Sequence, residues 1–272
     1  MRTASRRAAC GYGIYVLVLG VCSLKGGVGK TSVTLGLASA ALARGVATLV
    51  IDLDPQCDAT MALGADGTDR LDVAAVLDDP RSSVVERSIA PSAWADEGLD
   101  VMLGSADSAA HDGPTSADDL ERLAFALSFI GRYDLVLLDC PPSLGGLTRS
   151  GLMACDRAVV VTEPGLFSVM AVGRAMRTID ELRRGPARSL QPLGIVVNRV
   201  RHRSIEQAFR LEELRTLYGP LVLSPVIPER AALQQAQGAG QGVHTFPGAP
   251  AAELATAFDE LLDRALRAPR VH

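Results

Sequence analysis

Lysine is almost missing from this 272-residue chain: of 27 basic residues only two, Lys25 and Lys30, are lysines, and the rest are arginines. An arginine-rich composition is most simply a matter of codon usage. The placement of the two lysines is not, because a compact ammonium and a planar guanidinium are not interchangeable where a point charge must reach a phosphate. Cysteine is sparse and odd in number: Cys10, Cys22, Cys57, Cys140 and Cys155 have no C-x-x-C spacing, so neither a disulfide framework nor a zinc site is indicated, and a reducing cytosol is the expected compartment. The four histidines are scattered, with none paired at ligand spacing. There is no internal repeat. Arg2, Arg6 and Arg7 precede an apolar run, Ile14 to Cys22, that is too short to span a bilayer and leads straight into a glycine-rich loop. That run reads as a buried first strand, and residues 1–12 as a loose extension of a single domain over 13–272.

What remains is an ordinary globular composition, 48% hydrophobic and 21% charged with a net charge of −4. The charge is uneven. Residues 44–139 hold nineteen acidic and six basic residues, whereas 140–230 hold thirteen basic and eight acidic. Such a block permits a local phosphate or nucleic-acid surface on an acidic protein, and equally a solvated face with no partner.

Short Val-, Ile- and Leu-rich runs alternate with longer segments of helical period, the pattern of a parallel sheet covered on both faces. Strands are expected at Tyr15–Cys22, Ala47–Leu53, Leu99–Leu103, Leu135–Leu138, Ala158–Thr162, Leu193–Val197 and Val222–Val226. Helices are expected at Lys30–Arg44, Ala117–Gly131, Ser168–Arg184, Ser204–Leu217 and Ala251–Arg267. The fold class is therefore α/β, a doubly wound and mostly parallel sheet. Gly104–Asp119, rich in Ser, Ala, Asp and Gly, reads as a mobile surface connection.

The first strand runs into Lys25-Gly26-Gly27-Val28-Gly29-Lys30-Thr31-Ser32 and then into an apolar helix. Strand, glycine-rich turn and helix N-terminus make a nest of backbone N–H groups at a positive helix end, which is an anion site. Lys30 is placed to reach terminal phosphates and the Thr31 hydroxyl to bind magnesium. The strict G-x-x-x-x-G-K-[ST] pattern fails, because its first glycine falls on Leu24. Two further segments end strands in carboxylates: Asp52-Leu53-Asp54-Pro55-Gln56, and Asp139-Cys140-Pro141-Pro142-Ser143. At the C-terminal ends of parallel strands such groups project into the ligand crevice.

K-G-G-V-G-K-T with a lysine at its start is the deviant Walker A motif, and with the D-x-D-P-Q segment and the Asp139 strand end it resembles the ParA/MinD family of P-loop ATPases, closest to the ParA-type, Soj-like partitioning members. The resemblance covers nearly the whole chain after residue 16. It implies a P-loop NTPase fold, ATP and Mg2+ as cofactors, and ATP hydrolysis to ADP and phosphate. By it Lys25, Lys30 and Asp54 are catalytic, Asp54 orienting the attacking water. Lys25, Gly26, Gly27, Val28, Gly29, Lys30, Thr31 and Ser32 bind the phosphates. Thr31, Asp52 and Asp139 form the magnesium site, Asp139 through water. Val196-Val197-Asn198-Arg199 resembles the strand end that contacts adenine, and Val226-Ile227-Pro228-Glu229-Arg230 the segment beside the base, so Asn198 and Pro228 are assigned there; a buried structural amide is the alternative for Asn198. Where the family typically has Gly-Asn after D-P-Q, this chain has Cys57-Asp58.

The same resemblance implies a homodimer formed with ATP, in which Lys25 crosses to the partner's phosphates, and slow turnover stimulated by DNA and a ParB-like activator. Nonspecific DNA is the expected partner of a basic face carrying Arg199, Arg201, Arg203 and Arg210, and the expected location is the cytoplasm, on the nucleoid. No helix-turn-helix signature is present. Alternatives are a MinD-like membrane-cycling ATPase and a nucleotide-binding regulator with little turnover. The last helix carries Leu254, Phe258, Leu261, Leu262 and Leu266 on one stripe under an acidic face, which reads as core packing and not as stable membrane insertion. An iron-protein-like cluster is not indicated by Cys140 and Cys155.

Overall fold

The computed structural model describes residues 16–113 and 115–268. The expected extension, 1–12, lies outside them. Seven strands form one sheet in the order β3-β4-β2-β5-β1-β6-β7, all neighbours parallel except β3 and β4. They are β1 Leu17–Cys22, β2 Thr48–Asp52, β3 Ile89–Pro91, β4 Leu99–Met102, β5 Leu135–Asp139, β6 Arg157–Thr162 and β7 Gln191–Val197. The helices are α1 Lys30–Ala43, α2 Asp58–Ala62, α3 Val73–Asp78, α4 Ser82–Arg87, α5 Ala117–Leu127, α6 Gly146–Met153, α7 Leu166–Arg184, α8 Ile205–Tyr218, α9 Ala231–Gly238 and α10 Ala249–Arg267. The central strands are buried on both faces, which is why they read as continuous apolar runs.

Each face carries its own core. Leu49, Ile51, Val136, Leu138 and Val160 point to the layer containing α5, α6 and α7, whereas Val50, Leu135, Leu137 and Val159 point to α1 and α10. Helix α1 is buried on nearly every side because it lies between the sheet and α10. Gly36 is the point of closest approach: a Cβ there would sit 2.2–2.4 Å from the Phe258 ring. Gly36→Ala should therefore destabilise the fold by about 1–3 kcal/mol through overpacking and lower the melting temperature by several degrees. Gly131→Ala, whose Cβ would meet nothing within 4 Å, is the control. Equal melting curves for the two variants would rule out this account of the α1–α10 contact. The apolar stripe of α10 is core packing, with Leu254, Phe258, Leu261 and Leu262 all buried. Among the described residues no helix is long and apolar enough to cross a membrane.

Two expectations are corrected. Val222–Val226 is not a strand; it touches the sheet through isolated bridges, Ile195 to Val222 and Val200 to Pro228, because Pro225 and Pro228 have no N–H to continue a ladder. Gly104–Asp119 is not a free connection. It forms a 3-10 turn over Ala106–His111, and Asp112 then accepts hydrogen bonds from Ser143 Oγ at 3.1 Å and from the backbone N–H groups of Gly146 and Leu147. Asp112 thereby satisfies the N-terminus of α6, a helix whose Gly-Leu-Thr-Arg-Ser-Gly sequence has too little propensity to announce itself. The short elements α2, α3, α4, β3 and α9 were likewise not anticipated.

Candidate nucleotide-binding site

The loop from β1 to α1 lies at the C-terminal edge of the sheet, where β2 and β5 also end. Register decides what meets there: Asp52 of β2 is directly opposite Asp139 of β5, and Val21 of β1 is opposite Asp139 on the other side. Gly27 and Gly29 take left-handed φ values of 79° and 85°, which lets the chain turn sharply into α1. A Cβ built on Gly26 or Gly27 would meet nothing within 4 Å, so the cradle above them is open.

Lys30 is buried, 7% exposed, with Nζ 3.3 Å from Asp54 Oδ2 and 3.9 Å from Asp139 Oδ1. Burial by itself would lower its pKa, but Asp139 and Asp54 outweigh that and hold it above the ordinary lysine value. Asp139 accepts from Thr31 Oγ1 at 2.7 Å and from Thr34 Oγ1 at 2.9 Å. Its carboxyl is nevertheless pushed up, because complete burial exceeds the lowering by Lys30 and the two threonines.

Asp52 is engaged differently. Its Oδ2 accepts from both the N–H and the Oγ1 of Thr60 at 2.8 Å, and its Oδ1 accepts from the Asp54 N–H at 3.3 Å. Thr60 Oγ1 in turn accepts from the Gly104 N–H, and Gly104 lies so close that a Cβ would be 2.9 Å from the Asp52 carboxylate. Burial, reinforced by the charge of Asp139, pushes Asp52 up to about 7. In the absence of magnesium this gives a definite pH dependence. The folded chain keeps a proton on Asp52 between about pH 4 and 7 that the unfolded chain has lost, so stability falls as pH rises through that window. Asp52→Asn, which cannot ionise, should be more stable than the parent at pH 8 in chelator, on the order of 2–4 kcal/mol, with the difference shrinking toward pH 4. Denaturant titrations at pH 4.5, 6 and 8 measure it; a pH-independent difference would contradict the buried-carboxylate account.

Asn198, at the end of β7, is buried, and its Nδ2 donates to Val28 O at 2.8 Å. Arg199, with a left-handed φ of 56°, donates through Nη1 to Gly27 O and to Glu163 Oε1, the latter at 2.9 Å. Lys25 is half exposed, with Nζ 3.8 Å from Glu163 Oε2. Pro228 is buried and bridges to Val200, two residues beyond Asn198. Ser32 is half-buried in the first turn of α1. The structure thus brings together Lys25, Gly26 to Gly29, Lys30, Thr31, Asp52, Asp54, Asp139 and Asn198.

It does not bring the arginines together as one free basic face. Arg199 turns to the loop, Arg201 pairs with Glu229, and Arg210 pairs with Glu206 and Glu213 on its own helix. Arg203 is exposed and has no carboxylate partner among the described residues. Cys57, which follows the D-P-Q segment, adopts a left-handed φ of 57°, the conformation a glycine would take without strain. Cys22, Cys140 and Cys155 are buried, and burial pushes all three thiols up. Thr34, Thr60 and Glu163 were not read from the sequence. Thr34 had a usable signal, being one helical turn after Lys30 on the same face; the other two contacts come from distant segments.

The donor set fits a magnesium nucleotide. An ammonium and a hydroxyl stand at the base of an open loop of peptide N–H groups, with carboxylates behind them. Among the described residues no group of three or more His, Cys, Asp or Glu side chains is arranged to hold a metal alone. A magnesium ion here would complete its shell with phosphate oxygens and water, as that ion commonly does.

Strand, glycine loop and helix, with a buried lysine between two strand-end carboxylates, define a P-loop nucleoside triphosphatase. A family model described as AAA domain matches residues 16–191. The chromosome partitioning protein ParA of Caulobacter vibrioides is 31% identical over 232 residues, covering 83% of this chain and 85% of the relative. The chromosome-partitioning ATPase Soj of Thermus thermophilus is 32% identical over 241 residues, covering 86% and 91%. Among solved structures, cobyrinic acid a,c-diamide synthase from Mycobacterium smegmatis with bound ATP analog and magnesium superposes with a TM-score of 0.76 at 28% identity, covering 93% of this chain and 95% of that one. The chain belongs to the ParA/MinD family of deviant Walker A ATPases; it is an ATPase, with ATP and Mg2+ as cofactors.

Proposed function

We propose that this chain is a ParA-like partitioning ATPase: it dimerises on ATP, binds DNA without sequence preference, and moves a chromosome, plasmid or other cargo through slow hydrolysis stimulated by a ParB-like partner. The observation that carries the reading is the contrast between the two lysines. Lys30 is sealed among carboxylates inside its own protomer, while the Lys25 side chain is 47% exposed at the mouth of the same loop, available to a second copy. In this reading Lys30 neutralises the terminal phosphates, and Gly26 to Ser32 hold them through backbone N–H groups and hydroxyls. Thr31 and Asp139 hold magnesium, with Asp52 supporting from behind, and the ion's contribution is to neutralise developing phosphate charge. Asp54 orients water, Asn198 and Pro228 border the base, and Lys25 acts in trans.

Arg199 is committed to the loop, so the DNA face is assigned to Arg201 and Arg203 in the turn before α8 and to Arg210 on that helix. Phosphate contacts of this kind give salt-sensitive, sequence-independent binding. The deciding experiment compares ATP and ADP states for retention of random-sequence DNA and of anionic liposomes. DNA retention with ATP alone supports the proposal; liposome retention, or retention of neither, overturns it. Neutralising Arg201 and Arg203 together should weaken retention and flatten the log-log salt slope by about two. An unchanged slope would move the DNA surface elsewhere. The location that follows is cytoplasmic, on the nucleoid.

A further inference from the structure

Glu163 stands in the turn between β6 and α7, and its two carboxylate oxygens each face a cation from a different element. Oε2 is 3.8 Å from Lys25 Nζ on the phosphate loop, and Oε1 accepts from Arg199 Nη1 at the end of β7 at 2.9 Å. Arg199 also donates to Gly27 O, so the carboxylate is tied to the loop through a second route. The other lysine has no part in this: Lys30 is enclosed by Asp54 and Asp139.

We propose that Glu163 is a positioning residue that holds Lys25 against its own protomer and must release it before the ammonium reaches the phosphates of a second copy. The inference rests on the trans role of Lys25. One ammonium cannot occupy both places, so every interaction it makes with Glu163 in the single protomer is subtracted from the drive to dimerise. Because Arg199 retains the carboxylate on the β7 side, Glu163 does not follow Lys25 outward. The hold is light. The three side chains are 47%, 26% and 37% exposed, and pairs this open to water contribute little. A triphosphate, with several charges, displaces it readily, while an empty or diphosphate-bound partner does not offer the same attraction. Glu163 then sets how much ATP is needed for the dimer, without touching nucleotide.

Glu163→Gln keeps the shape and an oxygen for Arg199 but removes the charge facing Lys25. Since the chain holds only two lysines, carbon-13 labelling of the lysine ε carbons yields two signals, assigned through Lys25→Arg. In nucleotide-free Glu163→Gln the Lys25 signal should move while that of Lys30 stays. Light scattering during titration with a non-hydrolysable ATP analogue should show half-maximal dimer at an analogue concentration about twofold to fivefold lower than for the parent. A shorter Glu163→Asp side chain should fall between the two. An unmoved Lys25 signal, or an unchanged or higher analogue requirement, overturns the proposal while leaving the dimer intact. A parent protein that stays monomeric in saturating analogue overturns instead the trans role of Lys25, and the competition with it.

Discussion

Lys30→Met should reduce ATP turnover by at least about a hundredfold and also weaken the empty protein, by about 3–5 kcal/mol near pH 8. The first effect follows from removing the one cation enclosed at the base of the phosphate loop. The second follows from what the lysine leaves behind. Asp54 is 3.3 Å and Asp139 3.9 Å from Nζ, Asp52 pairs in register beside Asp139, and among the described residues no second cation is paired with Asp54 or Asp139. Breaking a buried ion pair by deleting one partner leaves uncompensated charge, which costs more than the pair contributes. The carboxylates can escape by taking up protons, so the deficit should shrink on acidification. Thermal melts at pH 8 and pH 5 without nucleotide, alongside phosphate-release assays, give both readings. A variant as stable as the parent at pH 8 would show that Lys30 does not balance the acidic cluster.

Asp54→Ala should lower hydrolysis by about 10²- to 10⁴-fold while leaving ATP binding in place, because orienting a water matters only once the nucleotide is seated. The geometry allows this separation. Asp54 Oδ2 accepts from Lys30, and Oδ1 accepts from the Gln56 N–H at 3.1 Å, so the carboxylate is fixed from two sides. After substitution Lys30 keeps Asp139, and the loop keeps its lysine. The variant should therefore accumulate as the ATP-bound dimer. Single-turnover hydrolysis and light scattering with ATP test the two halves, and parent-like turnover would remove Asp54 from the reaction. Asp54→Asn separates positioning from charge, since its amide oxygen can still accept from Gln56.

Much of this arrangement was readable from the chain because its signals are local. The β1 run, the glycine-lysine loop and the apolar α1 are continuous in sequence, Asp52 and Asp139 each end an unmistakable apolar strand, and Asp54 follows Asp52 in the turn. Seven further strands and helices stood within a few residues of their places for the same reason. What escaped depends on partners far away. Helix α6 exists because Asp112 caps it from another segment, and the third strand is only three residues long and runs antiparallel at the sheet edge. Val222–Val226 has strand composition, yet its prolines break the ladder. Thr60 and Glu163 carry no motif, and their importance comes only from the groups they meet. The charge count of the basic segment was also misleading by itself, since Glu229, Glu206 and Glu213 sit opposite the arginines that were counted.

The attachment of the phosphate loop to β7 affects how quickly nucleotide can be captured. With the carbonyls of Gly27 and Val28 tied to Arg199 and Asn198, the planarity of each trans peptide turns the following N–H groups, those of Val28 and Gly29, to the opposite side. Ordering a residue costs on the order of 1–2 kcal/mol of conformational entropy, and here that cost falls in folding, before any ligand arrives. Association of ADP, which does not drive the dimer, should then proceed in a single concentration-dependent phase in stopped-flow, with no slower rearrangement following it. Loosening the anchor, as in Asn198→Ala, should introduce a second phase independent of nucleotide concentration.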